Sequence, residues 1–445
     1  MPLLLPGLRR LESVEQRLRL SFLLLLLNCA YFNTFYNAQS YYKQALRVRE
    51  SNPSGAKDLF GKAQKKAMVM IQRYPNSRWT DDAFFLIAMC SYYKGEYKDA
   101  VRYYEDFIST FPNSKDVKKA EFYKALSLRA LKDYASALAE LSTLREDKRW
   151  RERALFEIGQ TYFEAEDYSE ASKNFEEFLK KFPKSKKRQD VILKLAQAYF
   201  LQQKWDKARD YYKEYISHAY TSYEKAEAKL KLSQCFMKLN RPELAEAELK
   251  GIEGEYPRLK PDIDLWLGKA ILRQGREDEA IPVLRRATGE PGAEAYFLIG
   301  KLYEKREEIE KAIAYYDSAK MKDPSSDYAA MALKRSSFLQ EFMRPDTTEE
   351  KDPARVQFLL AERYLLDLNQ PEQALKEYEK VYTLYPDSPY APKALYAQAY
   401  ILKEVLKREG YRDLYRILIE RYPESYQAKQ ARKVYESKNS KEGDS

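Results

Sequence analysis

Three cysteines and one histidine are the side chains of this 445-residue sequence best suited to nucleophilic or metal-binding chemistry: Cys29, Cys90, Cys235 and His218. With a single histidine, histidine-based triads and multi-histidine metal sites are not expected. Cys90 and Cys235 each stand ten residues before one of a series of recurring alanines (Ala100, Ala245), and both read as buried thiols too far apart in the repeat series to bridge. There is no phosphate-cradling glycine loop and no dinucleotide fingerprint, and the acidic residues are spread along helix faces rather than gathered. The chain is therefore expected to be no enzyme and to carry no cofactor or metal. Cys29 differs in setting. Arg9, Arg10, Arg17 and Arg19 precede the apolar stretch Leu20–Leu27, and Asn28–Cys29 end it. That order of charge and apolar residues is the order of an export signal, and the stretch is shorter than the roughly 20 apolar residues of a spanning helix.

An apolar leader ending on cysteine resembles the lipobox of bacterial lipoproteins, with Leu26 at the leucine position and Leu27 and Asn28 departing from the small residues usual before the cysteine. The resemblance implies cleavage after residue 28, a signal peptide over 1–28 and a diacylglycerol on the Cys29 thiol. Several acyl chains, at about 0.8 kcal/mol per buried CH₂, would make a stable membrane anchor. Ala30, which is not acidic, implies transport to the outer membrane of a diderm bacterium, with the protein facing the periplasm. The competing reading makes Cys29 a buried thiol in the first helix of a cytosolic protein. Against it, the five consecutive leucines have no polar face, while every later helix is amphipathic at the helical period.

The elements that would follow such an anchor are set by a repeat. Ala63/Pro75, Ala100/Pro112, Ala171/Pro183, Ala245/Pro257, Ala312/Pro324 and Ala374/Pro386 are all small-residue and proline pairs twelve apart. The alanines recur as Ala100, Ala137, Ala171, Ala208, Ala245, Ala280 and Ala312, a period of 32 to 37 residues that marks a helix-pair array. Twelve residues before each of these stands another small residue: Ala88, Ala125, Gly159, Ala196, Ser233, Gly268 and Gly300. Small residues at both crossing points let two helices approach closely. Large groups such as Tyr162, Phe175 and Phe178 fill the space between them, and each proline ends the second helix.

This framework resembles the tetratricopeptide repeat over about residues 56–435, which implies an all-α superhelical solenoid of about nine to ten helix pairs. Composition agrees, with 38 tyrosines against 14 glycines and no competing strand pattern. The expected organisation is a signal peptide (1–28), an N-terminal repeat region (29–258), further repeats (259–343), a charged loop (344–352), C-terminal repeats (353–436) and a disordered tail (437–445). The 62-residue gap between Ala312 and Ala374 holds one extra helix, about Asp327 to Met343. Helix is expected from about Asn33, with no flexible tether after the cysteine. The aromatic cluster Tyr31, Phe32, Phe35, Tyr36, Tyr41 and Tyr42 reads either as the core of a cap helix or as a lipid-interface group.

In the tetratricopeptide family the first helix of each pair lines the inner face, so the resemblance points to a candidate peptide-binding groove at Tyr92, Arg129, Phe163, Phe200, Met237 and Leu272. Two readings stay open for these six: an exposed ladder for an extended or helical peptide, or side chains buried between adjacent repeats.

The stretch from Ala56 to Ala130, with its RYPNS and TFPNS corners, together with the cysteine and the immediate helix, resembles the outer-membrane assembly lipoprotein family BamD in the N-terminal half. That resemblance implies a non-enzymatic scaffold whose partners are a β-barrel assembly subunit and unfolded outer-membrane protein clients. A scaffold lipoprotein for envelope constriction, secretion or surface motility is the alternative. Net charge is +10, and removing the leader's four arginines and two glutamates leaves +8. Its densest part, Lys180, Lys181, Lys184, Lys186, Lys187 and Arg188, reads as a solvated corner or as a contact for anionic lipid or an acidic loop. Nucleic acid is not an expected partner of an exported protein.

Overall fold

In the computed structural model, residues 34–343, 352–366 and 370–439 are described, and among them the regular elements are all helices. Cys29, the leader and most of the charged loop lie outside the described residues. Helix α1 covers 34–48 and α2 runs Pro53–Arg73. Pairs of first and second helices follow: α3 (Thr80–Lys94) with α4 (Tyr97–Thr110), α5 (Val117–Ala130) with α6 (Tyr134–Glu146), and α7 (Arg151–Glu164) with α8 (Tyr168–Lys181). Next come α9 (Arg188–Leu201) with α10 (Trp205–Ser217), α11 (Ser222–Lys238) with α12 (Pro242–Lys250), α13 (Lys260–Arg273) with α14 (Glu277–Leu284), and α15 (Gly289–Lys305) with α16 (Ile309–Lys322). Helices α17 (Asp327–Met343), α18 (Pro353–Leu366), α19 (Pro371–Leu384), α20 (Ala391–Tyr400), α21 (Tyr411–Arg421) and α22 (Tyr426–Asn439) complete the chain, with α20 running on into a π turn at Ile401–Val405. The chain divides into two compact units, one up to Ala295 and one from Tyr296, with the division inside α15.

The recurring small residues act where the pairing of helices requires them. A methyl added at Gly159, Gly268 or Gly300 would stand 2.5, 2.4 or 2.6 Å from Phe175, Leu284 or Tyr316, the residue sixteen positions later on the second helix. Bulk at that crossing would force the pair apart. The recurring alanines Ala100, Ala137, Ala171, Ala208, Ala245, Ala280 and Ala312 are all fully buried.

The turn from first to second helix is just as regular. Seven residues after each small position the backbone is left-handed: Gly95, Lys132, Glu166, Gln203, Asn240, Gly275 and Glu307, with φ between +55° and +81°. In each, that residue's N–H bonds the carbonyl three back, and the next N–H bonds the carbonyl five back, as in Glu166 to Phe163 and Asp167 to Tyr162. This pair of bonds satisfies the last carbonyls of the helix. Glycine fills only two of the seven turns.

The corners from second helix to next first helix use the prolines. Helices end two residues before Pro75, Pro112, Pro183, Pro324 and Pro386. The helix before Pro257 stops earlier, at Lys250, and Gly254 takes φ +81° in the linker. The serine of the corner motif also has a role: Ser114 donates to Asp81 at 2.8 Å and Ser185 to Glu152 at 2.6 Å, each reaching the start of the preceding first helix.

In the second unit a polar cluster is buried among α15 to α19. Glu304 accepts from Arg335 Nε and Nη2 at 2.7 and 2.5 Å, from the Tyr316 hydroxyl at 2.7 Å and from the Tyr364 hydroxyl at 3.0 Å, and Arg335 also reaches the Gln370 side-chain oxygen at 2.7 Å. Burial together with the adjacent carboxylate raises the pKa of both phenols far above the usual range.

Candidate protein-interaction face

The first helices of the pairs in the first unit carry the six residues singled out by the repeat register. Tyr92 ends α3, Arg129 α5, Phe163 α7, Phe200 α9, Met237 α11 and Leu272 α13, and all six are half-buried. Neither an open ladder nor a sealed one describes them. Each stands four residues after its small position, and four of them meet the residue two before the next small position. Tyr92 packs edge-on against Tyr123 with ring centroids 5.1 Å apart, and Arg129 bonds Glu157 at 2.6 Å. The Lys194 ammonium lies 4.7 Å from the Phe163 ring centroid, and that of Lys231 lies 5.5 Å from the Phe200 ring. The pattern is one rung per repeat, changing from aromatic pair to ion pair to cation over ring along the face.

A second contact holds three of the rungs from the side. Five residues further on, at the start of the second helix, Tyr97 meets Tyr92 at 5.9 Å, Tyr168 meets Phe163 at 5.4 Å and Trp205 meets Phe200 at 5.2 Å. Each of these rings is held by two neighbours while part of it stays in water. Such fixed, half-wet aromatics suit recognition better than packing, because they offer apolar area with little side-chain entropy left to lose. Burial pushes the Tyr92 phenol up to about 12. Met237 rests on the core around α9 and α11, and Leu272 on the core around α13. The partner residues Tyr123, Glu157, Lys194 and Lys231 escaped the sequence reading. Their signal was present as a constant offset from the next small residue, masked by the change in residue type from rung to rung.

Cys90 and Cys235 are buried free thiols, and burial pushes each up to about 12. His218 is exposed, its Nδ1 lying 2.7 Å from the Ser217 hydroxyl. Among the described residues no group of three or more histidine, cysteine or acidic side chains is placed to hold a metal, and no helix is long and apolar enough to cross a membrane. Of the N-terminal aromatic cluster, Phe35 is buried, Tyr41 and Tyr42 are half-buried against the first core and Tyr36 is exposed. Tyr31 and Phe32 lie outside the described residues.

Residues 38–151 and 147–238 match the family model for an outer membrane lipoprotein, YfiO. Residues 237–292 and 267–327 match one tetratricopeptide-repeat model, and 355–388 and 393–425 another. No curated protein matches the sequence. Among solved structures, a tetratricopeptide repeat protein from Parabacteroides merdae is similar at 13% identity, covering 68% of this chain and 99% of that one with a TM-score of 0.37. The C-terminal part of a repeat-containing protein from Cytophaga hutchinsonii is similar at 15% identity, with 66% and 99% covered and a TM-score of 0.42. PilF of Pseudomonas aeruginosa is similar at 16% identity, with 51% and 94% covered and a TM-score of 0.37. At these scores the three structures bear on neither site nor function.

Proposed function

From the premise that this chain is a tetratricopeptide-repeat protein resembling an outer membrane lipoprotein family over residues 38–238, we propose that it is a non-enzymatic scaffold lipoprotein of the outer membrane, facing the periplasm, that supports assembly and insertion of β-barrel proteins. The family match carries this reading, and it spans the same helices that hold the ladder from Tyr92 to Phe200.

The work of such a scaffold is binding. Cys29, acylated, anchors the chain, and α1 at 34–48 starts five residues after it, which keeps the repeats close to the bilayer. Half-buried rings at Tyr92, Phe163 and Phe200 offer apolar area to an extended client segment, and Arg129, Lys194 and Lys231 add polar contacts beside them. Met237 lies at the end of the family match, and Leu272 continues the face past it. A β-barrel assembly subunit is the fixed partner and unfolded outer-membrane proteins are the passing clients.

Depletion in the native host tests the reading. The expected result is a fall in outer-membrane β-barrel proteins, restored by the wild-type gene and not by Cys29→Ser. Unchanged barrel levels with a defect in division, secretion or motility would overturn the assembly role.

A further inference from the structure

Two successive corners of the first unit are basic, those between α6 and α7 and between α8 and α9, and side-chain contacts set them in line with the corner between α4 and α5. The corner between α4 and α5 rests on the start of α3 through Ser114 and Asp81. The corner between α6 and α7 rests on the start of α5, with the Trp150 and Phe122 rings 5.3 Å apart. The corner between α8 and α9 rests on the start of α7 through Ser185 and Glu152. Corner therefore follows corner along one edge, as nearest-neighbour stacking requires. On that edge Lys148, Arg149, Arg153, Lys180, Lys184 and Lys186 are exposed, and none of the six pairs with a carboxylate among the described residues. The neighbouring cations Lys115 and Lys181 do have partners, Asp82 and Glu177. The next corner, between α10 and α11, adds the exposed tyrosines Tyr220 and Tyr223, and it is tied to the basic one by the Arg188–Glu214 bridge of 2.6 Å.

We propose that this edge is a peripheral docking surface for an anionic lipid bilayer, with the lysines and arginines over the headgroups and the tyrosines at the interface. Charge complementarity selects the occupant. Protein interfaces are enriched in pocketed aromatics and depleted in lysine, whereas attraction to an anionic bilayer is diffuse and needs no pocket. Here four of the six cations without a carboxylate partner are lysines, spread over two corners. Tyrosine, apolar in body and polar at its tip, is the residue that interfaces favour. The surface would hold the repeats in a set orientation against the membrane, a constraint that an acyl chain alone does not impose. It rests on the membrane-anchored reading only for where the bilayer is met in the cell.

The test is flotation of the full chain carrying Cys29→Ser with phosphatidylcholine vesicles, made with and without phosphatidylglycerol. Binding is expected to require phosphatidylglycerol and to be lost at about 1 M salt, where the screening length falls to about 3 Å. Reversing Lys148, Lys180, Lys184 and Lys186 to glutamate is expected to lower partition at least about tenfold, given about 1 kcal/mol per basic residue near an anionic surface. Arginine at the same four positions should retain binding, and an unchanged helical signal would show both variants folded. Equal binding to both vesicle types, or undiminished binding by the reversed variant, overturns the proposal. So does failure to float combined with retention on immobilised polyglutamate, which would make the edge a site for an acidic protein. Because no assembly subunit is present, none of these outcomes depends on the barrel-assembly role.

Discussion

Replacing Glu304 by alanine removes the common acceptor of the second unit's polar cluster. The residue is 7% exposed and Arg335, its partner, is 6% exposed. Four hydrogen bonds end on the carboxylate, and after the change Arg335 retains, among the described residues, the Gln370 oxygen and the face of the Tyr364 ring. A buried guanidinium left without its counter-ion costs about 3–5 kcal/mol. Removing both charges in Glu304→Leu/Arg335→Met leaves no ion to desolvate and takes a partner only from neutral groups, the Tyr316 and Tyr364 hydroxyls and the half-buried Gln370 oxygen, so the double variant should stay within about 2 kcal/mol of wild type. Repeat arrays do not unfold as one cooperative block, so a global midpoint would blur the effect. Native-state hydrogen exchange reads it locally. Protection of amides in α15 to α18 should fall by about two to three orders of magnitude in the single variant, at 1.4 kcal/mol per decade, and recover most of that loss in the double. A single-variant loss below about 1 kcal/mol, or a double variant as weak as the single, would refute the view that an uncompensated charge sets the cost.

The left-handed turns give a prediction of opposite sign. Lys132→Gly, Glu166→Gly and Gln203→Gly should each stabilise the array by about 0.5–1 kcal/mol in denaturant titration, and Gly95→Ala should weaken it by a similar amount. Gly159→Val puts a branched side chain where a methyl already meets Phe175 at 2.5 Å, so a loss of about 1–3 kcal/mol is expected, partly recovered by Phe175→Leu in the same chain. Tyr92, Phe163 and Phe200 changed together to serine should raise the dissociation constant for an unfolded outer-membrane protein at least about tenfold with the helical circular-dichroism signal intact. Loss of that signal would make the three residues core. Cys90 and Cys235 should resist alkylation at neutral pH until the chain unfolds, since burial lifts their pKa from 9.0 to about 12. Their contribution to stability is fully present below about pH 9 and is lost as pH rises through about 12.

The repeat was legible because its signals are steric. A small residue at a helix crossing, a large apolar residue sixteen positions later and a proline after the second helix can each be filled by few residue types. The positive-φ turns carry a local signature at Gly95 and Gly275 and a weaker one at Asn240, whereas Lys132, Glu166, Gln203 and Glu307 adopt the same backbone under tertiary constraint without one. The Glu304 cluster was not legible. Arg335 stands three residues after Ala332, where other repeats carry Tyr162 or Tyr199, and no single chain shows that a glutamate 31 residues earlier turns inward to meet it. The six ladder positions were found from register, but their half-burial depends on what the following repeat places two residues before its small position. That is a tertiary fact carried by residue types as different as Tyr123 and Lys194.

The most direct test of the scaffolding role is a mild-detergent affinity purification of the full chain from its native host, with partners identified by mass spectrometry beside a Cys29→Ser control. Recovery of a β-barrel assembly subunit with the wild-type chain, lost in the control, is the predicted result. Recovery of division, secretion or motility components in its place would contradict the assembly role.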